Sequence, residues 1–186
     1  MRSRQLGIVL GSLVALSLAG CANSTSQNWT PQGWTPPAGV ALPFKARVAV
    51  EPDPNMPSLQ TAGNDWTYPD SQLMQQAALN VFHRVFSDAG PAASVQDPTI
   101  TIVLKGASSL NPTLAEYYAT ATATFFSGAN TYTAPIAVLQ GSGRASQPDY
   151  VRSGFLMAYE AAFAQLASQM LADPNLVSRL RGATRP

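Results

Sequence analysis

The sequence predicts an α/β fold, more closely an α+β two-layer sandwich in which a four-stranded mixed sheet carries two helices on one face. Segments with alternating apolar and polar residues predict strands, and two segments with apolar residues three or four apart predict helices. Their order is strand–helix–strand–strand–strand–helix. The chain of 186 residues is long enough for one domain with its own core. Because two helices cover one side of such a sheet, the other face is expected to be open.

The first strand is expected at residues 44–50, where apolar residues alternate with Lys45 and Arg47. Residues 52–68 follow as a loop, because three prolines interrupt the early part of this segment.

The first helix is expected to begin at the sequence Thr67-Tyr68-Pro69-Asp70. A threonine cap, a proline in the first turn and an acid beside the free amides all favour a helix start. Its apolar face is expected to pack on the sheet and consists of Leu73, Met74, Ala77, Ala78, Val81, Phe82 and Val85. The sequence Asp88-Ala89-Gly90-Pro91 is expected to end it.

Three strands are expected next, at residues 99–104, 117–126 and 132–141. In the second of them, small residues alternate so clearly that each face can be assigned. The residues expected to face the helices are Ala119, Ala121, Ala123 and Phe125, and those expected to face outward are Thr120, Thr122 and Thr124. Pro135 predicts that the last strand lies at an edge or begins there.

The second helix is expected to begin at Ser146-Gln147-Pro148-Asp149, which repeats the pattern of the first helix start. Its apolar face consists of Val151, Phe155, Ala158, Tyr159, Ala162, Phe163, Leu166 and Met170. Asp173-Pro174 is expected to end this helix, and a short helical piece around residues 176–180 can follow.

The N-terminus has the layout of a secretory signal, with Arg2 and Arg4 ahead of an apolar run over residues 6–18. This run is too short for a membrane-spanning helix, which needs about 20 residues. Leu18-Ala19-Gly20-Cys21 resembles the lipobox of bacterial lipoproteins, and Cys21 is the sole cysteine. The resemblance implies cleavage before Cys21 and its lipidation with acyl chains such as palmitate. The alternative is an ordinary signal peptide with a stray thiol.

Three regions are therefore expected: a signal peptide at 1–20, a lipidated cysteine with its tether at 21–43, and a periplasmic domain at 44–186. Ala22 stands where inner-membrane lipoproteins carry aspartate, so the resemblance implies the outer membrane, on its periplasmic side. The tether repeats a motif as Trp29-Thr30-Pro31 and Trp34-Thr35-Pro36. The two indoles are expected either to fold back on the domain or lie at lipid headgroups, or to recognise a partner or a glycan.

The element order over residues 44–171, behind a lipobox, resembles a class of periplasmic lipoprotein domains. The class includes the curli-secretion lipoprotein, activator lipoproteins of cell-wall synthases, the amino-terminal domain of the Tol propeller protein and auxiliary lipoproteins of ABC transporters. The resemblance implies binding and assembly in the cell envelope rather than catalysis.

Composition excludes several functions. The 11 basic and 10 acidic residues nearly cancel and are scattered, which is not the one-sided basic field that nucleic-acid binding needs. The single histidine, His83, and the single cysteine do not supply a serine triad or the usual metal ligands, so neither enzyme activity, metal nor cofactor is expected. Scattered carboxylates keep an envelope hydrolase open as an alternative, with the candidates Asp65, Asp70, Asp149 and Glu160, whereas Glu116 is expected in an exposed loop before a strand.

Two further segments are weaker candidates for ligand binding. Gly141-Ser142-Gly143-Arg144 is expected between the last strand and the second helix, where it either holds an anion or eases the turn. Arg179, Arg181 and Arg185 form a thin basic tail that either meets anionic lipid or cell-wall polymer, or is simply solvated.

The sequence thus predicts a membrane-anchored module that binds another envelope protein in transport, secretion or cell-wall synthesis. A carrier of a lipid or small apolar ligand is the other alternative. The outward threonines are expected to form the partner surface, with aromatic anchors beside them or in the tether. The candidate residues are Thr120, Thr122, Thr124, Tyr118, Phe126, Trp29 and Trp34.

Overall fold

The computed structural model describes residues 34–36, 42–52, 59–61, 64–66, 71–111, 113–146, 148 and 151–182. Several sequence predictions lie outside these ranges: the signal peptide, Cys21, Trp29, the helix-start residues Thr67, Asp70 and Asp149, and Arg185.

The described residues form seven strands and three helices. In chain order these are β1 (Leu42–Pro52), β2 (Leu59–Thr61), β3 (Asn64–Trp66), α1 (Ser71–Phe82), β4 (Phe86–Pro91), β5 (Ile100–Asn111), β6 (Glu116–Ser127), β7 (Ala137–Ser146), α2 (Val151–Ala172) and α3 (Pro174–Gly182). Five strands make the main sheet in the order β4-β1-β5-β6-β7, and β2 pairs with β3 as a separate hairpin. The pairs β4–β1 and β1–β5 are parallel, whereas β5–β6 and β6–β7 are antiparallel.

The α/β class is confirmed, but the expected strand count is wrong. The sheet has five strands rather than four, because β4 forms from the segment that was expected to end the first helix. α1 ends at Phe82, and a tight turn leads into β4 through a hydrogen bond from the Val85 amide to the Phe82 carbonyl at 3.0 Å. Gly90 and Pro91 are tolerated here because β4 lies at a sheet edge and pairs only with β1.

Three further details differ from the sequence prediction. The expected loop contains the β2–β3 hairpin, and the helical piece after Asp173 is a full third helix, α3. The last strand begins at Ala137 and continues to Ser146, past its expected end at Gly141. Pro135 lies just before this strand, and β7 is the second edge of the sheet, as the proline predicted.

The core lies between one face of the sheet and the helices α1 and α2. β1 alternates strictly along its first part, so Leu42, Phe44, Ala46 and Val48 point into this core. α2 is buried around most of its middle, because the sheet, α1 and α3 pack against different sides of it. Phe163 lies where these layers meet, near the rings of Phe82 and Tyr159.

Glycines allow α2 to approach β7 at backbone distance. A methyl group on Gly143 would lie 2.1 Å from the Ala158 carbonyl oxygen, and one on Gly141 would lie 2.7 Å from the Ala162 carbonyl oxygen. Alanines of α2 form the other side of this contact, so the backbones of β7 and α2 pack closely together. Within the described residues, no helix is long and apolar enough to cross a membrane.

Candidate functional site

The face of the sheet opposite the helices is the candidate binding surface and is called the open face below. The β6 side chains on it are Tyr118, Thr120, Thr122 and Thr124. Register places Thr122 between Lys105 on β5 and Gln140 on β7, and places Thr120 between Ala107 and Ser142. The prediction for the two faces of β6 is therefore correct, because the intervening alanines are buried and these threonines are exposed or half-exposed.

A cleft of about 480 Å³ lies on the open face. Its walls include Lys105, Thr120, Thr122, Gln140 and Ser142, and Gln165 of α2 reaches it around the free edge of β7. The Gln165 side-chain oxygen accepts a hydrogen bond from the Ser142 amide at 2.6 Å. This bond satisfies one backbone donor of the edge strand. The cleft exists because the side chains on its floor are small.

Two ion pairs lie on the open face. Lys105 Nζ lies 3.2 Å from Glu51 Oε2, and both side chains are exposed. Arg144 forms an ion pair with Glu116, and the Arg144 guanidinium lies 5.8 Å from the centroid of the Tyr118 ring. The Tyr118 hydroxyl donates to Glu116 Oε2. The Arg144 guanidinium over the ring and the hydrogen bond to Glu116 hold Tyr118 in a defined position beside the cleft. Tyr118 is 36% exposed.

One end of the open face is covered by the chain itself, which affects Phe126. Phe126 pairs with Thr101 and is only 9% exposed. Thr101 Oγ1 donates to the Gly128 carbonyl at 2.6 Å, and Arg47 Nη2 donates to the Val95 carbonyl at 3.2 Å. Phe126 is thus placed at a closed end, whereas Tyr118 is the aromatic residue that remains accessible beside the threonines.

Trp34 lies on the helical side of the domain rather than across the threonines. Its side chain is 6% exposed, and its Nε1 donates to Ser168 Oγ on α2 at 3.1 Å. Arg84, just after α1, donates to the Trp34 carbonyl oxygen at 2.5 Å. Trp34 therefore lies away from the outward threonines, with which it was grouped as a candidate partner residue. At Trp34 the tether folds back on the domain, which is one of the alternatives that the sequence left open.

The carboxylates considered for hydrolysis are placed in different surroundings. Glu160 is 7% exposed between the two long helices, and its Oε1 accepts from Asn80 Nδ2 at 2.5 Å. Burial raises the pKa of the Glu160 carboxyl, and the Asn80 hydrogen bond and the Arg84 charge oppose this rise. Asp65 lies in β3, and Glu116 is held by Arg144. Within the described ranges, no three His, Cys, Asp or Glu side chains are arranged to hold a metal ion.

The structure also describes the positions of the remaining candidate residues. Residues 141–144 lie inside β7, so the expectation that they form a turn or an anion site before the second helix is wrong. Their glycines instead make room for α2. His83 is exposed in the turn after α1, and Arg179 and Arg181 lie in the last turn of α3.

Sequence reasoning did not single out Lys105, Gln140 or Gln165 as part of the site. Strand alternation carried a signal for Lys105, because it is the polar residue that follows the run at residues 99–104 with the outward phase. No local pattern indicated Gln165, since it reaches the cleft from a helix on the other side of the sheet.

The chain matches no family model and no curated protein in sequence. In structure it resembles a DUF330 protein of Xanthomonas campestris, at 11% identity over 80% of this chain and 93% of that chain, with a TM-score of 0.49. It also resembles PelC of Paraburkholderia phytofirmans, solved as a dodecamer, at 15% identity over 73% and 95% of the two chains, with a TM-score of 0.38. A protein of Caulobacter crescentus described as a lipoprotein matches at 10% identity over 75% and 93%, with a TM-score of 0.34.

Proposed function

We propose that this chain is a lipid-anchored accessory protein of the bacterial cell envelope whose domain binds another envelope protein. The proposed docking surface is the open face of the sheet, and the proposed anchor is Cys21. Transport, secretion and cell-wall synthesis are the processes in which such a module would serve.

The observation that carries the proposal is an accessible sheet face with an aromatic residue already fixed beside it. Tyr118 is held by Arg144 and Glu116 before any partner arrives, so its docking costs little side-chain entropy. Thr120 and Thr122 also lose little rotamer freedom when covered, and their hydroxyls both donate and accept hydrogen bonds. The pairing of Lys105 with Glu51 and of Arg144 with Glu116 balances the charge of this surface.

Site-specific photo-crosslinking in intact cells tests the docking surface. A photoreactive residue at Thr120 is expected to crosslink a defined envelope protein, because Thr120 is exposed on the cleft wall. The matched control is Gln76, which is exposed on α1 at the opposite side of the domain. Thr122→Lys is expected to reduce the Thr120 crosslink several-fold while the fold persists. Equal crosslinks from both positions, unaffected by Thr122→Lys, would contradict the proposal.

The membrane anchor has its own test. Cys21→Ser is expected to abolish acylation and to release the domain from the membrane, because acyl chains contribute about 0.8 kcal/mol of membrane affinity per buried methylene. Membrane fractionation and incorporation of labelled palmitate measure the result. A variant that still sediments with membranes and still incorporates palmitate would disprove the lipid anchor while leaving the docking surface untouched.

A further inference from the structure

A groove formed by the C-terminal end of α1 and by α2 binds the tether at Trp34. The indole is buried there, and its only polar atom, Nε1, donates to Ser168 Oγ at 3.1 Å. Ser168 Oγ donates in turn to the Ala164 carbonyl at 2.8 Å, which orients the hydroxyl oxygen as an acceptor for the indole. This site, defined by Arg84, Ala164 and Ser168, is called the groove.

The backbone of the bound segment is recognised as well as its side chain. Arg84 Nη1 donates to the Trp34 carbonyl oxygen at 2.5 Å. Thr35 is exposed, and Pro36 is half-buried. The indole and the carbonyl oxygen of Trp34 are thus both bound, and a proline follows two residues after the tryptophan. A second segment with these features can make the same contacts.

The tether contains such a second segment. Trp29-Thr30-Pro31 repeats Trp34-Thr35-Pro36 residue for residue, five positions earlier. We propose that the groove is a binding site for Trp-Thr-Pro segments and that Trp29-Thr30-Pro31 occupies it in exchange with Trp34-Thr35-Pro36. The tether then has two docked positions on one domain.

Chain length permits this exchange. With Trp34 bound, seven residues (35–41) connect the groove to β1; with Trp29 bound, twelve residues (30–41) make the same connection. Because the connection becomes longer, it can span the same distance without strain. The added loop entropy changes slowly with length, so the longer connection does not prevent Trp29 from occupying the groove.

The exchange changes how far the domain can stand from its proposed anchor. Twelve residues (22–33) separate Cys21 from Trp34, whereas seven residues (22–28) separate Cys21 from Trp29. At about 3.5 Å per extended residue, the reach from the groove to Cys21 falls from about 40 Å to about 25 Å. This consequence rests on the lipid anchor of the proposed function, whereas the exchange itself does not.

Four forms of the full-length chain in detergent micelles test the exchange: wild type, Trp29→Ala, Trp34→Ala and the double variant. Urea denaturation is expected to show wild-type stability for Trp29→Ala, a small loss for Trp34→Ala and a clearly larger loss for the double variant. The reason is that Trp29 fills the groove when Trp34 is removed. If Trp34→Ala is as unstable as the double variant, or fails to fold, Trp29 does not replace it and the proposal is wrong.

Incorporation of 5-fluorotryptophan gives a direct observation of the groove. In Trp34→Ala, the fluorine resonance of Trp29 is expected to move to the position that the Trp34 resonance has in the wild type. Ser168→Ala, which removes the indole acceptor, is expected to move that resonance back toward the exposed position. A Trp29 resonance whose position changes with neither substitution would overturn the exchange.

Oligomeric state separates exchange within one chain from docking between chains. Sedimentation of Trp34→Ala is expected to match the wild type at every concentration. A concentration-dependent dimer of Trp34→Ala, abolished by Trp29→Ala, would mean that Trp29 fills the groove of a second copy and would also overturn the proposal. Loss of the anchor by Cys21→Ser leaves all three measurements unchanged, which keeps this test distinct from that of the proposed function.

Discussion

In the middle of β6 and β7, both faces of the sheet carry small side chains, but the two faces meet very different surroundings. On β6, Ala119, Ala121 and Ala123 are buried under the helices, whereas Thr120 and Thr122 alternate with them and remain accessible. On β7, next to them, Gly141 and Gly143 are pressed against the α2 backbone, and Gln140 and Ser142 line a cleft.

Small residues therefore serve opposite purposes on the two faces. On the helical face of β7 they are required, because a side chain at Gly141 or Gly143 would collide with backbone atoms of α2. On the open face they leave a depression that the chain does not fill. The comparison predicts that enlarging a side chain is costly on the first face and tolerated on the second.

The largest expected effect is at the closest contact on the helical face. Gly143→Ala places a methyl group against the Ala158 carbonyl oxygen and the Ala162 amide nitrogen. The change is expected to cost about 3 kcal/mol of stability, because both of these atoms belong to the α2 backbone. Urea denaturation measures it. Gly182→Ala is the matched control, because nothing lies within 4 Å of its added methyl group, and it is expected to change stability by less than about 0.5 kcal/mol. Equal losses at the two positions would show that α2 does not pack on β7 in this way.

A smaller effect is expected where the two faces alternate along one strand. Ala121→Leu is expected to overpack the helical face and to cost about 2 kcal/mol. Thr122→Val, one residue further on the open face, is expected to be close to neutral. Denaturation midpoints of both variants provide the check, and matching losses would mean that the faces of β6 are assigned wrongly.

The smallest expected effect depends on pH and concerns the one buried carboxyl of the described helices. Burial raises the pKa of Glu160. At a pH between the ordinary pKa and the raised pKa, the folded chain therefore holds a proton on this carboxyl that the unfolded chain has released. This group therefore supports folding fully below its ordinary titration range, and the contribution is lost as pH rises through the raised value. Glu160→Gln keeps an oxygen for Asn80, so its stability relative to wild type is expected to increase from about pH 4 toward neutral.

Urea midpoints of Glu160→Gln and wild type across this pH range test the sign. Glu51→Gln is the control, because it removes one carboxylate of an exposed ion pair, which contributes little to stability. A gain for Glu160→Gln that decreases with pH would mean that the buried carboxylate is stabilised by Arg84 more than it is destabilised by burial.

Residues with strong local patterns were assigned correctly from the sequence. The two long helices were found because their apolar residues recur every three or four positions, and all six buried positions of α1 belong to the apolar face expected from that spacing. The faces of β6 were assigned because alanine and threonine alternate without interruption over residues 119–124.

β4 was missed because its sequence, FSDAGP, has no alternation and contains residues that usually end elements. It is a strand only because β1 offers it an open edge. Residues 141–144 likewise have the local pattern of a connection, since two glycines in four residues indicate a turn. They lie in a strand because they pair with residues 118–121 of β6, and their glycines leave room for α2.

The sequence by itself determined the class of the fold, the faces of its central strands and the resemblance to a lipobox at Cys21, because each depends on spacing within a short segment. Tertiary structure alone decided the fifth strand, the arrival of Gln165 at the cleft and the burial of Trp34 against Ser168. Each of these joins residues that are far apart in the chain. Such contacts arise from the packing of whole elements, about which no local pattern carries information.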